Sequence, residues 1–327
     1  MQYRRLGQTG LKVSSVCLGT MPFGMQTPEP EARAILDRAS EAGVDFIDTA
    51  DGYPLLGNDE TKGLSEEILG RWLAGKRTRY IVATKCFAQM GPKPWDRGLS
   101  RRHILDAVEG SLRRLNTDWI DLYQLHNFDV ETPVDETLEA MDSLVRAGKV
   151  RYIGCSNWLA YRLARALGRS ELHNWARFVC VQPRYSLLFR QWERELLPLC
   201  LEEGIGVIVF SPLAGGLLTG KYGPQRPPEP GTRFGDHEFS RNMYWHEAEL
   251  RAVDQLSDVA AAAGLALPTL AIGWVLAQQA ITAPIVGASR ADQLGPTLAA
   301  AETPLPEDVV RRADEITRVF RRGDADI

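Results

Sequence analysis

Short apolar runs recur eight times along the chain, and each ends in small, polar or ionisable residues. Most runs are followed by the three- and four-residue apolar spacing of an amphipathic helix, as at Ile104, Val108, Leu112 and Leu115. The runs are Val16 to Gly19, Val44 to Asp48, Tyr80 to Lys85, Trp119 to His126, Val150 to Ser156, Phe178 to Gln182, Ile205 to Ser211 and Ala283 to Ser289. This alternation predicts an α/β fold in which a parallel sheet closes into a (β/α)8 TIM barrel.

Three parts of the chain fall outside the alternation. Two strand-like pieces flank the turn GQTG and predict an N-terminal β-hairpin over residues 1–14. Residues 212–245 are rich in Gly and Pro without a sustained apolar period, and predict a long loop on the active face. Helical patterns near His246 to Ala263 and Pro306 to Phe320 predict extra C-terminal helices packed outside the barrel.

The size and charge of the chain narrow the classes of function. Barrels of this kind run as single units of roughly 200 to 400 residues, so residues 1–327 are expected to form one domain. Lys and Arg total 38 against 42 Asp and Glu, and a net charge of −4 gives no general field for nucleic acid or an anionic membrane. No such partner is predicted, and the sequence does not indicate an oligomeric state.

Location is predicted from the N-terminus, the cysteines and one uncharged stretch. Charges stand where a signal peptide needs its apolar segment, and none of the five cysteines forms a CxxC pair, so we expect a cytoplasmic protein with reduced thiols. Residues 259–289 carry no charge. Pro268 suits the first turn of a helix and Pro284 a strand start, so this stretch is not expected to span a membrane.

Four residues at or just beyond the ends of three consecutive strands suggest acid–base chemistry. Asp48, Lys85 and His126 end their runs, and Tyr53 follows Asp48 in the next loop. A nearby ammonium favours the phenolate of a Tyr whose pKa is ordinarily about 10, a carboxylate holds that ammonium charged, and a His can hydrogen-bond a carbonyl oxygen. Each residue alone has an ordinary structural explanation, but a Lys ending an apolar run at a barrel mouth brings no structural gain.

The chemistry that is missing from the sequence also matters. The chain has no HExxH sequence, GxSxG elbow or Cys–His signature, and no metal site is predicted. The four residues can together protonate a carbonyl oxygen, which is one half of a carbonyl reduction. The other half needs a hydride donor, which side chains do not supply, so a nicotinamide cofactor is implied. The first strand is not followed by G-x-G-x-x-G, and a different cofactor site is therefore required.

The chain resembles the aldo-keto reductase family over nearly its whole length. The resemblance rests on YRRLGQTGLKVSSVCLGTMPFG, DTADGY, ATK, LH, GCSN, VQPRYS, FSPLAGGLLTGKY and VGASRADQL. It implies a barrel with a hairpin over its bottom, NADPH/NADP+ bound extended at the top, and reduction of a small-molecule aldehyde or ketone. Tyr53 would be the general acid, with Lys85, Asp48 and His126 completing a tetrad.

The resemblance also implies a set of cofactor contacts. Gly19, Thr20 and Met21 would border the cofactor together with Asp48, and Phe210 would stack on the nicotinamide. The nicotinamide carboxamide would be held by Ser156, Asn157 and Gln182. The pyrophosphate would be wrapped by Ser211, Pro212, Leu213, Ala214 and Gly215 with help from Lys221. The adenosine 2′-phosphate would be surrounded by Gly287, Ser289, Arg290 and Gln293, and Thr297 stands where relatives commonly carry an adenine-contacting Asn.

The substrate is left open by the sequence. Phe87 and Trp158 are the preferred candidates to line a substrate pocket, and the link PLLGNDETKGLSEE after Tyr53 is longer than usual for the family. Two alternatives to a general carbonyl reductase remain. One is an NADPH-binding regulatory subunit, as in channel-associated relatives that replace the His by Asn, whereas this chain keeps His126. The other is a reductase specific for keto-sugar nucleotides.

Overall fold

The computed structural model describes residues 1–55, 57–223, 226 and 228–321, and eight parallel strands within these ranges close into a barrel. In chain order the barrel strands are β3 Cys17–Gly19, β4 Phe46–Asp48, β5 Ile81–Cys86, β6 Ile120–Leu125, β7 Val150–Ser156, β8 Phe178–Gln182, β9 Gly206–Val209 and β10 Ile281–Val286. Each strand pairs with the next, and β10 pairs with β3. The predicted (β/α)8 barrel is confirmed.

Helices separate the strands and cover the outside of the barrel. They are α1 Glu29–Glu41, α2 Leu64–Leu73, α3 Arg101–Leu115, α4 Val134–Arg146, α5 Ala160–His173, α6 Leu196–Glu203, α7 Arg233–Asp236, α8 Glu238–Tyr244, α9 Glu247–Ala262, α10 Leu267–Ala277, α11 Leu294–Ala299 and α12 Glu307–Thr317. Short 3-10 turns occupy Arg77–Arg79, Gln191–Glu193, Ala214–Thr219, Ala291–Gln293 and Arg318–Arg321. The helices predicted near His246 to Ala263 and Pro306 to Phe320 are present as α9 and α12.

The N-terminal hairpin closes one end of the barrel. Its strands, β1 Tyr3–Arg5 and β2 Lys12–Ser14, pair antiparallel, and the predicted hairpin is confirmed. Leu6 and Val13 are fully buried and join the inward-facing apolar side chains of the strands in one interior cluster. Because the hairpin blocks this end, the carboxyl ends of the strands form the open face, where the polar residues lie.

Glycine and proline residues mark several helix ends. Gly43, Gly148 and Gly204 have φ of 82°, 73° and 65°, the left-handed region that glycine adopts without a steric penalty. Pro268 lies in the first turn of α10, where its missing N–H has no intrahelical partner to lose.

The connection over residues 212–245 is more ordered than the predicted loop. It contains the 3-10 turn Ala214–Thr219 and the short helices α7 and α8. Thr232 accepts a hydrogen bond from Gly235 N at 3.1 Å to begin α7, and the fully buried Phe234 packs against Tyr222, Tyr244 and Trp245. This aromatic cluster gives the segment its own core, which a search for helical periodicity misses. Positions 224, 225 and 227 of this prediction, and 322–327 at the C-terminus, lie outside the described residues.

The start of the last strand, β10, was predicted wrongly. Pro284 lies inside β10 rather than at its start, and β10 begins at Ile281. The register with β9 shifts between Ile281 and Ala283, and such an irregularity accommodates a residue that has no backbone N–H. Within the described ranges no single helix is long and apolar enough to cross a membrane, and α9 and α10 pass that test only as a pair bent by 93°.

Candidate active site

Three neighbouring strands bring the predicted acid–base residues together. Asp48 is the last residue of β4 and Lys85 the second-last of β5, while His126 directly follows β6 and donates its backbone N–H to Cys86 O at 2.9 Å. Tyr53 lies in the loop after β4, which continues the pairing with β5 through Asp51 N and Lys85 O at 3.0 Å. The parallel register therefore places all four side chains at one point of the open face.

The centre of the site is a buried ion pair that also reaches the phenol. Lys85 Nζ donates to Asp48 Oδ2 at 2.5 Å, to Thr49 O at 2.8 Å and to Tyr53 Oη at 3.4 Å. Lys85 is 0% and Asp48 2% exposed, so water does not screen this pair. The ammonium is held charged by the carboxylate and is aimed at the phenol oxygen.

Burial changes the expected pKa of Tyr53. Desolvation raises the pKa of the phenol, and the ammonium of Lys85 opposes this effect without overcoming it, so the pKa lies above its ordinary value. Burial alone would lower the pKa of Lys85, but Asp48 and Tyr53 raise it. At neutral pH the pair is therefore a protonated phenol beside an ammonium, which suits a proton donor better than a base.

His126 is held neutral at the edge of the site. Its ring lies edge-to-face with that of Tyr53, with centroids 5.6 Å apart. Burial, followed by the charge of Lys85, lowers the pKa of His126 to about 3. A neutral imidazole beside the phenol keeps one N–H with which to donate a hydrogen bond to a bound oxygen.

Gln124 belongs to the site and was missed by the sequence analysis. Gln124 is fully buried in β6, and its Nε2 donates to Asp48 Oδ1 at 3.2 Å. Gln182 Nε2 donates to the same oxygen at 2.8 Å and to Gln124 Oε1 at 3.2 Å. These bonds orient Asp48 toward Lys85. The signal in the sequence was a glutamine within an apolar strand, two residues before His126.

The residues predicted to hold a nicotinamide carboxamide adjoin this network. Ser156 Oγ donates to Gln182 O at 2.7 Å, and Asn157 Nδ2 donates to His126 O at 3.0 Å. Asn157 is exposed with a left-handed φ of 61°, while Ser156 and Gln182 are buried. The amide of Asn157 is thus the polar group that this set presents at the open face.

The residues predicted to border the cofactor lie at the end of β3, the strand next to β4, and just after it. Gly19 pairs with Asp48 in the β3–β4 register, and Thr20 donates to Asp48 O through its backbone N–H at 3.0 Å. Thr20 Oγ1 also bonds Ser65 Oγ at 2.7 Å. Gly19 and Thr20 are buried, and Met21 is partly exposed beside them.

The turn after β9 contains several residues with left-handed backbone conformations. Ser211 and Ala214 have φ of 54° and 50°, and Gly215 continues in the left-handed region at 68°. Within the turn, Ala214 N donates to Ser211 O and Gly216 N donates to Leu213 O, each at 2.9 Å. Tyr244 donates to Ser211 Oγ at 2.9 Å, which ties α8 to this turn. Three other predicted residues lie in or beside this turn. Phe210 precedes it, Pro212 lies within it, and Lys221 follows it with an exposed side chain.

The residues predicted around a 2′-phosphate lie after β10, and carboxylates adjoin them. Arg290 is exposed and pairs with Asp292 through two contacts of 3.1 Å. Glu31 Oε1 accepts the backbone N–H of Ala291 at 2.8 Å. Gly287 and Ser289 are also exposed, and Gln293 Oε1 accepts from Ser289 N at 3.0 Å. Thr297 departs from the prediction, because it is 3% exposed and its hydroxyl donates to Leu294 O.

The two predicted pocket aromatics differ in position. Phe87 follows β5 and is partly exposed. Trp158 is 1% exposed and packs between Phe128 and Phe178, with ring centroids 4.8 and 5.4 Å away. Trp158 therefore supports the wall of the site from behind, and it does not form the surface that was predicted for it. Phe128 is the partly exposed ring in front of it.

Comparison with known proteins gives one family over nearly the whole chain. The model of the aldo/keto reductase family matches residues 15–318. An uncharacterized oxidoreductase, YrpG, of Bacillus subtilis (strain 168) is 40% identical over 97% of this chain and 96% of its own length. Protein tas of Escherichia coli (strain K12) is 35% identical over 98% and 99% of the two chains. A probable voltage-gated potassium channel subunit beta of Arabidopsis thaliana is 35% identical over 98% and 97%.

Proposed function

The chain belongs to the aldo/keto reductase family of oxidoreductases, and on this premise we propose that it reduces an aldehyde or ketone to an alcohol with NADPH, Tyr53 supplying the proton. One observation carries the proposal: a single buried ammonium contacts both the carboxylate of Asp48 and the phenol of Tyr53. An ion pair with a purely structural role would not need a phenol in contact with its ammonium, whereas an ion pair that serves a proton donor would.

The side chains account for the proton and the orientation of the substrate. The carbonyl oxygen accepts hydrogen bonds from Tyr53 Oη and from the N–H of neutral His126, which fixes the carbonyl above the site. As negative charge develops on that oxygen, Tyr53 transfers its proton and becomes a phenolate beside Lys85. Asp48 keeps Lys85 charged throughout. When bound, the reduced nicotinamide supplies the hydride that forms the new C–H bond.

The residues present fit a nicotinamide dinucleotide in most respects. The exposed amide of Asn157 lies next to His126, and the exposed Lys221 follows the left-handed turn from Ala214 and can supply a cation to a pyrophosphate. Arg290 can hydrogen-bond a phosphate in place of Asp292, because an exposed ion pair of this kind contributes little. A cytoplasmic location belongs to the same proposal and suits the described cysteines, which are all unpaired and buried.

A regulatory role, such as the name of the plant channel subunit suggests for that relative, is the second candidate. Binding of a dinucleotide alone requires neither a phenol nor a neutral imidazole at the centre of the site. Here the rings of Tyr53 and His126 are in edge-to-face contact beside Lys85. This complete set favours turnover over regulation.

The test is direct. The purified protein is mixed with NADPH and a panel of aliphatic, aromatic and sugar-derived aldehydes and ketones, and loss of reduced-nicotinamide absorbance is followed. The proposal predicts turnover of at least one class and formation of the matching alcohol. Tight NADPH binding with no turnover across the panel would favour the regulatory role instead.

A further inference from the structure

A second ionisable cluster lies behind the tetrad, between β5 and helices α2 and α3. Glu66 is fully buried and accepts hydrogen bonds from Thr84 Oγ1 at 2.6 Å and from Arg114 Nε at 2.8 Å. Asp51 is also fully buried, in the turn between Asp48 and Tyr53. Two carboxyl groups are therefore buried in one cluster, and of the two it is Glu66 that hydrogen-bonds to the guanidinium of Arg114.

The hydrogen bonds distinguish the two carboxyl groups. Glu66 receives a donor on each oxygen, one of them cationic, as an ionised carboxylate requires. Neither oxygen of Asp51 has a hydrogen-bond partner among the described residues. The nearby backbone N–H groups of Gly52 and Phe87 favour its charged form without reaching hydrogen-bond geometry. A buried carboxylate without a hydrogen-bond donor is costly in free energy, so the carboxyl group of Asp51 is more stable as the neutral acid.

We propose that Asp51 carries a proton in the folded protein at neutral pH and is a positioning residue for Tyr53, whose ability to donate a proton falls when Asp51 ionises. This inference rests on the proposed function of Tyr53 as the acid. Asp51 lies in the turn that Tyr53 closes by donating its backbone N–H to Ala50 O at 3.2 Å, and a negative charge on Asp51 raises the pKa of the Tyr53 phenol. The same charge opposes the phenolate that proton transfer leaves behind, so the neutral carboxyl keeps the site active.

Among the ionisable groups around it, Asp51 is the one expected to change its protonation state near neutral pH. Burial, and then the charge of Glu66, raise the pKa of Asp51 to about 8, against the opposing effect of Arg114. Burial also raises the pKa of Cys86 on β5 and of Tyr123 on β6, so both stay neutral through this range. Lys85 stays charged on the other side of β5 because its pKa is raised.

The protonation state can be read without activity. Infrared spectra of the wild-type protein should contain the carbonyl stretch of a buried protonated carboxyl group at neutral pH, and this band should disappear with a midpoint at about pH 8. In Asp51→Asn, which has the same shape and no charge, the band should be missing. A wild-type spectrum without the band, or an identical spectrum in the variant, overturns the inference. The wild-type titration alone decides this point if the variant does not fold.

The effect on Tyr53 is read from the pH profile of carbonyl reduction. Wild-type kcat should fall as the pH rises through about 8, and Asp51→Asn should move that fall upward by at least about one pH unit. Asp59→Asn is the matched control, because Asp59 lies in the same loop, is 94% exposed and pairs with Lys62. Its profile should equal that of the wild type. A band at neutral pH with an unchanged alkaline limit in Asp51→Asn overturns the positioning role. A wild type that shows the band but turns over no carbonyl contradicts the proposed function and leaves the protonation standing.

Discussion

At the scale of single residues, the site is organised by which charges are compensated. Lys85 and Asp48 are almost without exposed surface and compensate each other. Gln124 and Gln182 satisfy the second oxygen of Asp48. Lys85 Nζ and both carboxylate oxygens of Asp48 thus have hydrogen-bond partners, which fixes the ammonium where it meets Tyr53. Removal of one charge should therefore affect stability and chemistry together.

The substitution Asp48→Asn tests this compensation. It leaves the Lys85 ammonium buried without its carboxylate, and we expect the free energy of unfolding to fall by about 3 to 5 kcal/mol, with kcat reduced at least about 100-fold. Denaturant unfolding and steady-state kinetics measure the two effects. Asp45→Asn is the control at the other end of β4, where Asp45 Oδ1 accepts from Ser14 N and an amide oxygen can do the same. Equal losses in both variants would contradict a special role of the ion pair.

The lowered pKa of His126 predicts how activity and stability depend on pH in the acid range. Because its pKa in the folded protein is about 3, the imidazole stays neutral well below its ordinary value of 6.5, and kcat/KM should show no acidic limb near that value. The unfolded chain takes up this proton first, so His126 contributes stability above about pH 6.5 that is lost as the pH falls toward 3. In His126→Asn this part of the acid destabilisation should disappear. An acidic limb near 6.5 that the variant abolishes would show instead that the imidazole titrates normally.

The sequence predicted these site residues because strand ends in a barrel converge, and Asp48, Lys85 and His126 mark three strand ends. It failed where exposure depends on neighbours from other elements. Trp158 follows β7 as a pocket residue would, but Phe128 from the loop after β6 covers it. Gln124 and Asp51 were missed because a buried amide or carboxyl is recognised only once the donors around it are known.

At the scale of elements, close backbone approaches determine how the hairpin docks. Gly7 has φ 58°, and a Cβ there would lie 2.7 Å from Gly206 N and 3.0 Å from Val179 O, both backbone atoms that do not move aside easily. Gln8 N donates to Gly204 O at 2.8 Å across the same contact. The hairpin therefore seals the barrel end through contacts that only glycine permits.

We expect Gly7→Ala to destabilise the protein more than the same change at an open glycine. Gly264 is the matched control, since its φ is 69° and nothing lies within 4 Å of the position of a Cβ. Both variants should suffer left-handed strain of about 1 kcal/mol, and Gly7→Ala should lose about 1 to 3 kcal/mol more from overpacking. The difference is measured by denaturant unfolding. Equal losses would show that the hairpin adjusts and that the close contact is unimportant.

Periodicity predicted the regular elements well and the irregular connection poorly. The eight strands and the proline in the first turn of α10 each depend on local geometry, which the sequence carries. The segment over 212–245 depends on Phe234 meeting Tyr222 and Trp245, contacts that bridge more than ten positions. Pro284 was placed at a strand start because the irregular pairing of β10 with β9 has no local signature.

At the scale of the whole molecule, the barrel separates stability from chemistry. The hairpin and the interior apolar cluster lie at one end, and every tetrad residue lies at the other. The residues predicted to hold a dinucleotide follow β3, β7, β8, β9 and β10, so a cofactor would extend across the open face. Its far end would meet Arg290, where Asp292 and Glu31 already supply carboxylates.

This arrangement predicts how cofactor preference responds to charge. Arg290→Ala should weaken binding of NADPH far more than that of NADH, because only NADPH carries the 2′-phosphate. Glu31→Gln should strengthen binding of NADPH relative to NADH, because it removes a negative charge close to the predicted 2′-phosphate site. The amide oxygen of Gln can still accept the hydrogen bond from Ala291 N. Fluorescence titration with both cofactors measures the ratio of dissociation constants. An unchanged ratio in Arg290→Ala would remove this residue from phosphate recognition.

The central claim is that Tyr53 delivers the proton, and Tyr53→Phe tests it most directly because the change removes one oxygen from a buried ring. NADPH affinity by fluorescence titration and carbonyl reduction by loss of reduced-nicotinamide absorbance are measured on the same preparations. The account predicts unchanged cofactor affinity and a loss of kcat of about 100-fold or more. Reduction at the wild-type rate by Tyr53→Phe would contradict it.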